Sequence, residues 1–84
     1  MFKITIEREA LDNLKKLDGS IRLRIKKFID QRLRLDPRSC STLLVGNKNI
    51  ARARVGDYRI IFKLDNLEKT ILIIDVNHRS KIYK

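Results

Sequence analysis

Residues 49–64, NIARARVGDYRIIFKL, decide the fold of this sequence. Gly56 and Asp57 form a two-residue turn signal between two alternating patterns, which is the strongest short-range indication of a β-hairpin. With these two residues as the loop, the flanking strands pair in a single register. The predicted pairs are Val55 with Tyr58, Arg54 with Arg59, Ala53 with Ile60, Arg52 with Ile61 and Ala51 with Phe62.

The hairpin has two chemically different faces, because side chains alternate across a strand. One face is apolar and is typical of a core face. It carries Ala51, Ala53, Val55, Tyr58, Ile60 and Phe62. The other face is basic, and we call it the arginine face. It carries Ile50, Arg52, Arg54, Arg59, Ile61 and Lys63.

The arginine face suggests a surface that binds anions. Arg54 and Arg59 are direct cross-strand neighbours, and Arg52 lies two residues along the strand. Like charges directly opposite each other destabilise a sheet, whereas the planar fork of arginine suits phosphate oxygens. The pairing alone leaves two interpretations open, a phosphate-binding site and an ordinary solvated basic face.

Composition and charge bound the class of protein. The 84 residues make one domain, residues 1–84, with a small core. Lys and Arg number 20 against 10 Asp and Glu, and the net charge of +10 predicts binding to nucleic acid, an anionic surface or an acidic protein. A single cysteine, Cys40, excludes an internal disulfide and a cysteine-based zinc site. We therefore expect a reducing compartment, the cytoplasm.

Before the hairpin, the chain predicts one strand and two helices. The strand alternates apolar residues at Phe2, Ile4 and Ile6. The first helix has an apolar stripe formed by Ala10, Leu11, Leu14 and Leu17. Gly19 is expected to end it, and Ser20 to cap the second helix. That helix buries Ile21, Ile25, Phe28 and Ile29, and ends before Pro37.

The remaining segments predict an α+β fold in the order β-α-α-β-β-β. Residues 37–48 are expected to form a loop that turns Leu43, Leu44 and Val45 inward. Residues 69–77 are apolar on both faces, as in a central strand. The resulting architecture is a two-helix hairpin packed on a mainly antiparallel four-stranded sheet. The helices should cover the core face of the β-hairpin and leave the arginine face open.

The end of the chain, NHRSKIYK at residues 77–84, adds polar candidates to the site. Alternation from Ile71 and Ile73 places one set of side chains, Asp75, Asn77 and Arg79, opposite a second set, Leu72, Ile74 and Val76. If the second set is core, Arg79 emerges beside the hairpin arginines. Tyr83 could stack on a base, or could cap the core. His78 falls on the other side from Arg79 and is either a structural histidine or a proton carrier.

The layout resembles the RelE/ParE superfamily of bacterial toxins from toxin–antitoxin pairs. The matching pieces are the helix motif E-R-x-A-L-x-x-L-x-K-L at residues 7–17, the hairpin motif R-x-R-V-G-D-Y-R-I-I-F at 52–62 and the terminal H-R-x-x-x-Y at 78–83. The resemblance covers nearly the whole chain, in order. It implies a compact RelE-like fold, a cognate antitoxin that blocks the toxin and, for RelE-type members, cleavage of messenger RNA on the ribosome. The basic surface of this chain predicts that the antitoxin brings acidic residues and an amphipathic helix.

The resemblance also implies a reaction and its residues. A ribose 2′-hydroxyl attacks the adjacent phosphate, with no metal or cofactor, and leaves a 2′,3′-cyclic phosphate and a 5′-hydroxyl. The implied catalytic residues are Arg52, Arg54, Arg59, Arg79 and Tyr83. Arg52 and Arg59 would stabilise charge, Arg79 would lie near the leaving oxygen, and Tyr83 would stack on a base and orient the 2′-hydroxyl. The expected RNA-binding residues are Lys63, His78, Lys81 and Lys84.

One departure from the family pattern leaves the function open. RelE carries lysines where this chain has Arg52 and Arg54, and one of them is proposed as general base. Arginine stays protonated in proteins, so Arg54 is a poor base. His78, Tyr83 or the ribosome would have to assist, or the rate would come mainly from electrostatics and in-line geometry. The alternatives are a ParE-type toxin that inhibits gyrase without nuclease activity, and an inactive RelE-like binding protein.

Overall fold

Two helices packed on one mixed sheet form the α+β fold that the sequence predicts. The computed structural model describes residues 1–44, 46 and 49–78. The elements are β1 (Lys3–Ile6), α1 (Arg8–Lys15), α2 (Gly19–Phe28), a π-helical turn (Ile29–Leu33), β2 (Ser41–Leu43), β3 (Ile50–Val55), β4 (Tyr58–Asp65) and β5 (Thr70–His78). The strand order is β1-β5-β4-β3-β2. Only the β1–β5 pair is parallel among these strands.

The β3–β4 hairpin has the predicted register. Arg54 pairs with Arg59, and Val55 pairs with Tyr58 across the turn. Gly56 has a φ of 60°, the left-handed value that a type II′ hairpin turn requires at its first central position. The turn that the sequence signals therefore sets the relative position of the arginines on the two strands.

Replacing Gly56 tests the turn. We expect Gly56→Ala to lower the free energy of unfolding by about 1 kcal/mol, because a Cβ is strained at positive φ. The new Cβ would also lie 3.1 Å from Nη1 of Arg24, a flexible group that can move. Gly19→Ala is the matched control, since its Cβ would meet only Nη2 of Arg22 at 3.9 Å. Urea denaturation that finds Gly19→Ala the more damaging change would contradict this account of the turn.

A fifth strand, β2, corrects the predicted four-stranded sheet. Its three residues pair antiparallel with β3, and Thr42 lies opposite Arg52. The sequence predicts a loop here, because Ser-Thr-Leu is too short to show alternation. It forms a strand because β3 presents an edge of unpaired backbone groups. Leu43 is 59 % exposed and Leu44 is half-buried, so the expected inward turn is wrong for Leu43; Val45 lies outside the described residues.

Asp18, and not Ser20, caps the second helix. Its carboxylate accepts a hydrogen bond from the Ser20 backbone N–H at 3.2 Å and another from the Ser20 hydroxyl. These bonds stabilise the charged form and lower the pKa of Asp18 below its ordinary value. The helix therefore begins at Gly19, the residue that the sequence predicts as the end of the preceding helix.

The second helix continues into a π-helical turn. The backbone N–H of Arg34 donates to the carbonyl of Ile29 at 3.0 Å, a bond that spans five residues. Ile29 and Leu33 both remain buried through this turn. The helical segment stops before Pro37, as the sequence predicts.

The core lies between the helices and one face of the sheet. Its buried members are Ala10, Leu14, Ile25, Ile29, Leu33, Ala51, Ala53, Val55, Ile60, Phe62, Leu64, Ile71, Ile73 and Val76. Ala51, Ile60 and Phe62 are each 0 % exposed, so the helices cover the predicted face of the hairpin. Among the described residues, no helix has the length and apolar character needed to cross a bilayer.

A β-bulge in β5 corrects the predicted faces of that strand. Phe62 pairs with Ile73 and Ile61 pairs with Asp75, so Ile74 has no counterpart on β4. Ile73 and Ile71 are buried in the core, whereas simple alternation had put them on the side of Asp75. The extra residue reverses the alternation part-way along the strand. Asp75 is thereby returned to the register of Ile61, on the arginine face.

Candidate functional site

The arginine face is open on the side of the sheet away from the helices. Arg52 and Arg54 are exposed on β3, and Arg59 is half-buried on β4. Lys63 is exposed on the same face, where it pairs with Ile50. The packed core behind β3 and β4 holds these side chains on a rigid support.

A cavity that we call the arginine pocket lies at the β2 edge of the sheet, with a volume of about 490 Å³. Its walls come from the π-helical turn, the segment before β2, and the hairpin. The lining residues are Arg32, Ser39, Cys40, Ser41, Thr42, Arg52, Arg54 and Arg59. Among the described residues the lining contains four arginines and no carboxylate, a composition suited to a group with several negative oxygens.

A second cavity of about 700 Å³, which we call the sheet-face cavity, adjoins the first. It is lined by Glu7, Glu9, Leu44, Arg52, Arg59, Ile61, Ile74 and Asp75. Arg52 and Arg59 line both cavities, so cationic groups and carboxylates share this part of the surface. No group of three or more His, Cys, Asp or Glu in the described part of the chain is arranged to hold a metal ion.

The guanidinium groups of the hairpin form no close ion pair with a carboxylate in the described part of the chain. Within residues 1–44, 46 and 49–78, no carboxylate forms a salt bridge with Arg52, Arg54 or Arg59. Arg54 is oriented by its own turn, since its Nε donates to the carbonyl of Gly56 at 3.0 Å. The remaining donors of these arginines can bind a ligand.

Cys40 adds no negative charge to the arginine pocket. Partial burial raises the pKa of its thiol above the ordinary value, although the charge of Arg32 acts in the opposite direction. The thiol therefore stays protonated at neutral pH, and its Sγ donates to the carbonyl of Asp36 at 3.4 Å.

His78 does not join the arginine face. It pairs with Tyr58 across β4 and β5, and their rings meet edge to face with centroids 5.2 Å apart. Tyr58 packs against the core, so both rings lie on the side away from Arg52. The other candidates from the chain end, Arg79, Lys81, Tyr83 and Lys84, lie outside the described residues.

Arg32 lines the pocket, although no sequence pattern marks it as a site residue. In the sequence it is one of several basic residues on the exposed side of a helix. Its position in the pocket depends on how the helix layer meets the edge of β3, beyond the end of β2. No local pattern in the sequence indicates that contact between the helix layer and the sheet edge.

The family model described as the ParE toxin of type II toxin–antitoxin systems, parDE, matches residues 4–83. A comparison with curated proteins found no significant match.

Several solved structures have the same fold as this chain. The RelBE2 toxin–antitoxin complex of Mycobacterium tuberculosis contains a chain with 25 % identity and a TM-score of 0.84, over 93 % of this chain and 98 % of that one. The archaeal RelE–RelB complex of Pyrococcus horikoshii OT3 gives 24 % identity and a TM-score of 0.78, over 96 % and 98 %. The intact RelBE complex of E. coli gives 17 % and 0.79, over the whole of both chains.

Proposed function

The chain belongs to the ParE toxin family of type II toxin–antitoxin systems, within the RelE/ParE superfamily, and on this premise we propose that it is a ribosome-dependent endoribonuclease that cuts messenger RNA. The observation that carries the proposal is the arrangement of Arg52, Arg54 and Arg59. All three line one cavity, and none of the described residues in its walls is a carboxylate. A surface that serves only solubility does not require three arginines clustered at one cavity.

The arginines suit the charge that develops during phosphodiester cleavage. The 2′-oxygen attacks phosphorus while the bond to the 5′-oxygen breaks, and negative charge accumulates on the non-bridging oxygens. Arg52 and Arg59, which line both cavities, can donate to those oxygens from backbone positions that the hairpin register fixes before the reaction begins. Such preorganised groups stabilise a transition state more than the ground state. Arg54 adds charge at the hairpin end of the site.

Proton transfer requires groups other than the hairpin arginines, which stay protonated. The carboxylates of Glu7 and Glu9 line the sheet-face cavity together with Arg52 and Arg59. A carboxylate placed there can accept the 2′ proton, and the departing 5′-oxygen takes a proton from water to become the 5′-hydroxyl. His78 lies on the opposite side of the sheet and is not part of this scheme.

The assignments at the chain end rest on the family resemblance. In this proposal Arg79 stabilises the leaving oxygen, and Tyr83 stacks on a base and orients the 2′-hydroxyl. Lys63, Lys81 and Lys84 extend the basic surface along the RNA.

A cognate antitoxin is the second partner in this proposal. The RelE chains of similar fold are found in complexes with RelB. This chain has a net charge of +10, so an acidic antitoxin with an amphipathic helix would be complementary to it. Covering the arginine face would exclude RNA and silence the toxin.

Inhibition of DNA gyrase is the second candidate function. It is favoured by the family model, which is that of ParE toxins, and the resemblance implies gyrase inhibitors among ParE-type members. In that case the arginine face would be a docking surface and would cut nothing.

Induction of the chain in bacterial cells without antitoxin distinguishes the two functions. We expect incorporation of labelled amino acids to fall before DNA synthesis does, without a DNA-damage response, because the messenger is the target. An Arg52→Ala/Arg59→Ala double variant should leave protein synthesis intact. DNA-damage signalling with translation unaffected would favour gyrase.

A further inference from the structure

Arg32 is the one arginine of the arginine pocket that comes from the helix layer. The other three, Arg52, Arg54 and Arg59, belong to the hairpin. Arg32 is exposed, and its guanidinium lies over the ring of Phe28 at 5.8 Å from the centroid. This cation–π contact holds the side chain in place and leaves its hydrogen-bond donors free for a ligand. Packing of the core does not require a charged residue at this position.

The strand pairing explains why the pocket opens at this edge. Pairing between β2 and β3 ends at Ser41 and Ala53, so no residue of β2 pairs with Arg54. Ser39 and Cys40 lie beside the gap, and Arg32 lines it from the helix layer. The gap connects the outer face of the sheet with the helical side of the molecule.

We propose that Arg32 forms a second phosphate subsite, which holds a phosphate next to the one bound by Arg52 and Arg59 on the same RNA strand. The substrate then passes from the arginine face around the β2 edge toward the helix layer. The inference rests on the proposed function only in taking RNA as the ligand. The pocket volume of about 490 Å³ falls in the range of small-molecule sites.

The lining of the pocket favours RNA over an acidic peptide. The hydroxyl of Thr42 lies on the face of Arg52, opposite it in the strand register. Ser39 and Ser41 donate their hydroxyls to the carbonyls of Asp36 and Pro37, which leaves their oxygens as acceptors. Ribose hydroxyls can donate to such acceptors while the arginines bind the phosphates. A carboxylate side chain offers no donor.

The test measures binding of unmodified RNA strands of increasing length, by fluorescence anisotropy over a range of salt concentrations. Ribosomes are left out, so the proposed ribosome-dependent nuclease does not cut the strands. Each phosphate neutralised on a single strand contributes about −0.7 to the slope of log affinity against log salt. We expect Arg32→Gln to reduce the slope by about 0.7 on longer strands, and to leave it unchanged on a dinucleotide, which has one bridging phosphate. Lys27→Gln, an exposed change of equal charge on α2 outside the pocket, should leave both slopes unchanged.

Arg32→Lys guards against an indirect effect through the Phe28 contact. The lysine keeps the charge and should retain the slope of the native chain, even if its melting temperature changes. Equal slopes for Arg32→Gln and Lys27→Gln would overturn the inference, as would the absence of binding to any strand. The inference would also be overturned if Arg32→Gln weakened binding of an acidic antitoxin peptide and left binding of RNA unchanged.

The binding assay separates this inference from the proposed function. RNA strands that bind with an Arg32-dependent slope, together with intact messenger in translation assays, would support the subsite and refute the nuclease. Cleavage of messenger together with a salt slope that does not depend on Arg32 would support the nuclease and refute the subsite.

Discussion

We expect Arg59→Ala to lower the rate of messenger cleavage about 10²- to 10³-fold in a reconstituted translation system, because in the proposed site it removes a donor to the phosphate. Arg59 lines both cavities and is half-buried on the central hairpin. Water would therefore be a poor substitute for the hydrogen-bond donors of its guanidinium group. The measurement is single-turnover cleavage on ribosomes programmed with one messenger. The cleavage rate of Arg59→Lys should lie between those of Arg59→Ala and the native chain, since lysine keeps the charge and lacks the planar fork of arginine.

Lys16→Ala is the control for the Arg59 prediction. Lys16 is exposed just after the first helix, and its removal changes the net charge by the same amount. We expect its cleavage rate to stay close to that of the native chain. Equal losses for both variants would mean that total charge, and not the position of Arg59, governs the reaction.

Phe62→Ala should lower the free energy of unfolding by about 3–5 kcal/mol, the usual cost of removing a buried aromatic ring. Phe62 is 0 % exposed and is among the largest of the fully buried side chains. Single domains typically have a free energy of unfolding of about 5–15 kcal/mol, so the Phe62→Ala variant would keep only a small part of its stability. Urea denaturation followed by circular dichroism measures the change.

Leu67→Ala provides the comparison for Phe62. Leu67 is an apolar residue in the turn between β4 and β5 with 96 % of its surface exposed, so its truncation should change the stability by less than about 0.5 kcal/mol. A loss at Phe62 no larger than that at Leu67 would contradict the described core. The comparison also matters for function, because loss of toxicity from unfolding must be separated from loss of a catalytic group.

The parts of the fold that could be predicted from sequence are those set by local patterns. The Gly56-Asp57 turn and the alternation on each side of it determine the strand register, and hence place Arg52, Arg54 and Arg59 on one face. The helices follow from apolar spacing. The helices are expected to cover the face of the hairpin that carries Phe62, because that face is apolar and the opposite face is basic.

The parts that could not be predicted depend on contacts distant in sequence. β2 forms because β3 offers an unpaired edge. The bulge at Ile74 arises from the fit between β4 and β5, and strict alternation could not anticipate it. Arg32 enters the pocket because of the way the helix layer meets the sheet edge.

Primer extension on a messenger translated in a purified cell-free system, with the antitoxin-free protein added, tests the central claim most directly. The account predicts cuts that appear only when ribosomes are engaged on the messenger, that leave a 2′,3′-cyclic phosphate, and that vanish with Arg59→Ala. Intact messenger and normal protein synthesis in the presence of folded native protein would contradict it, and would leave the arginine face as a docking surface for gyrase or another partner.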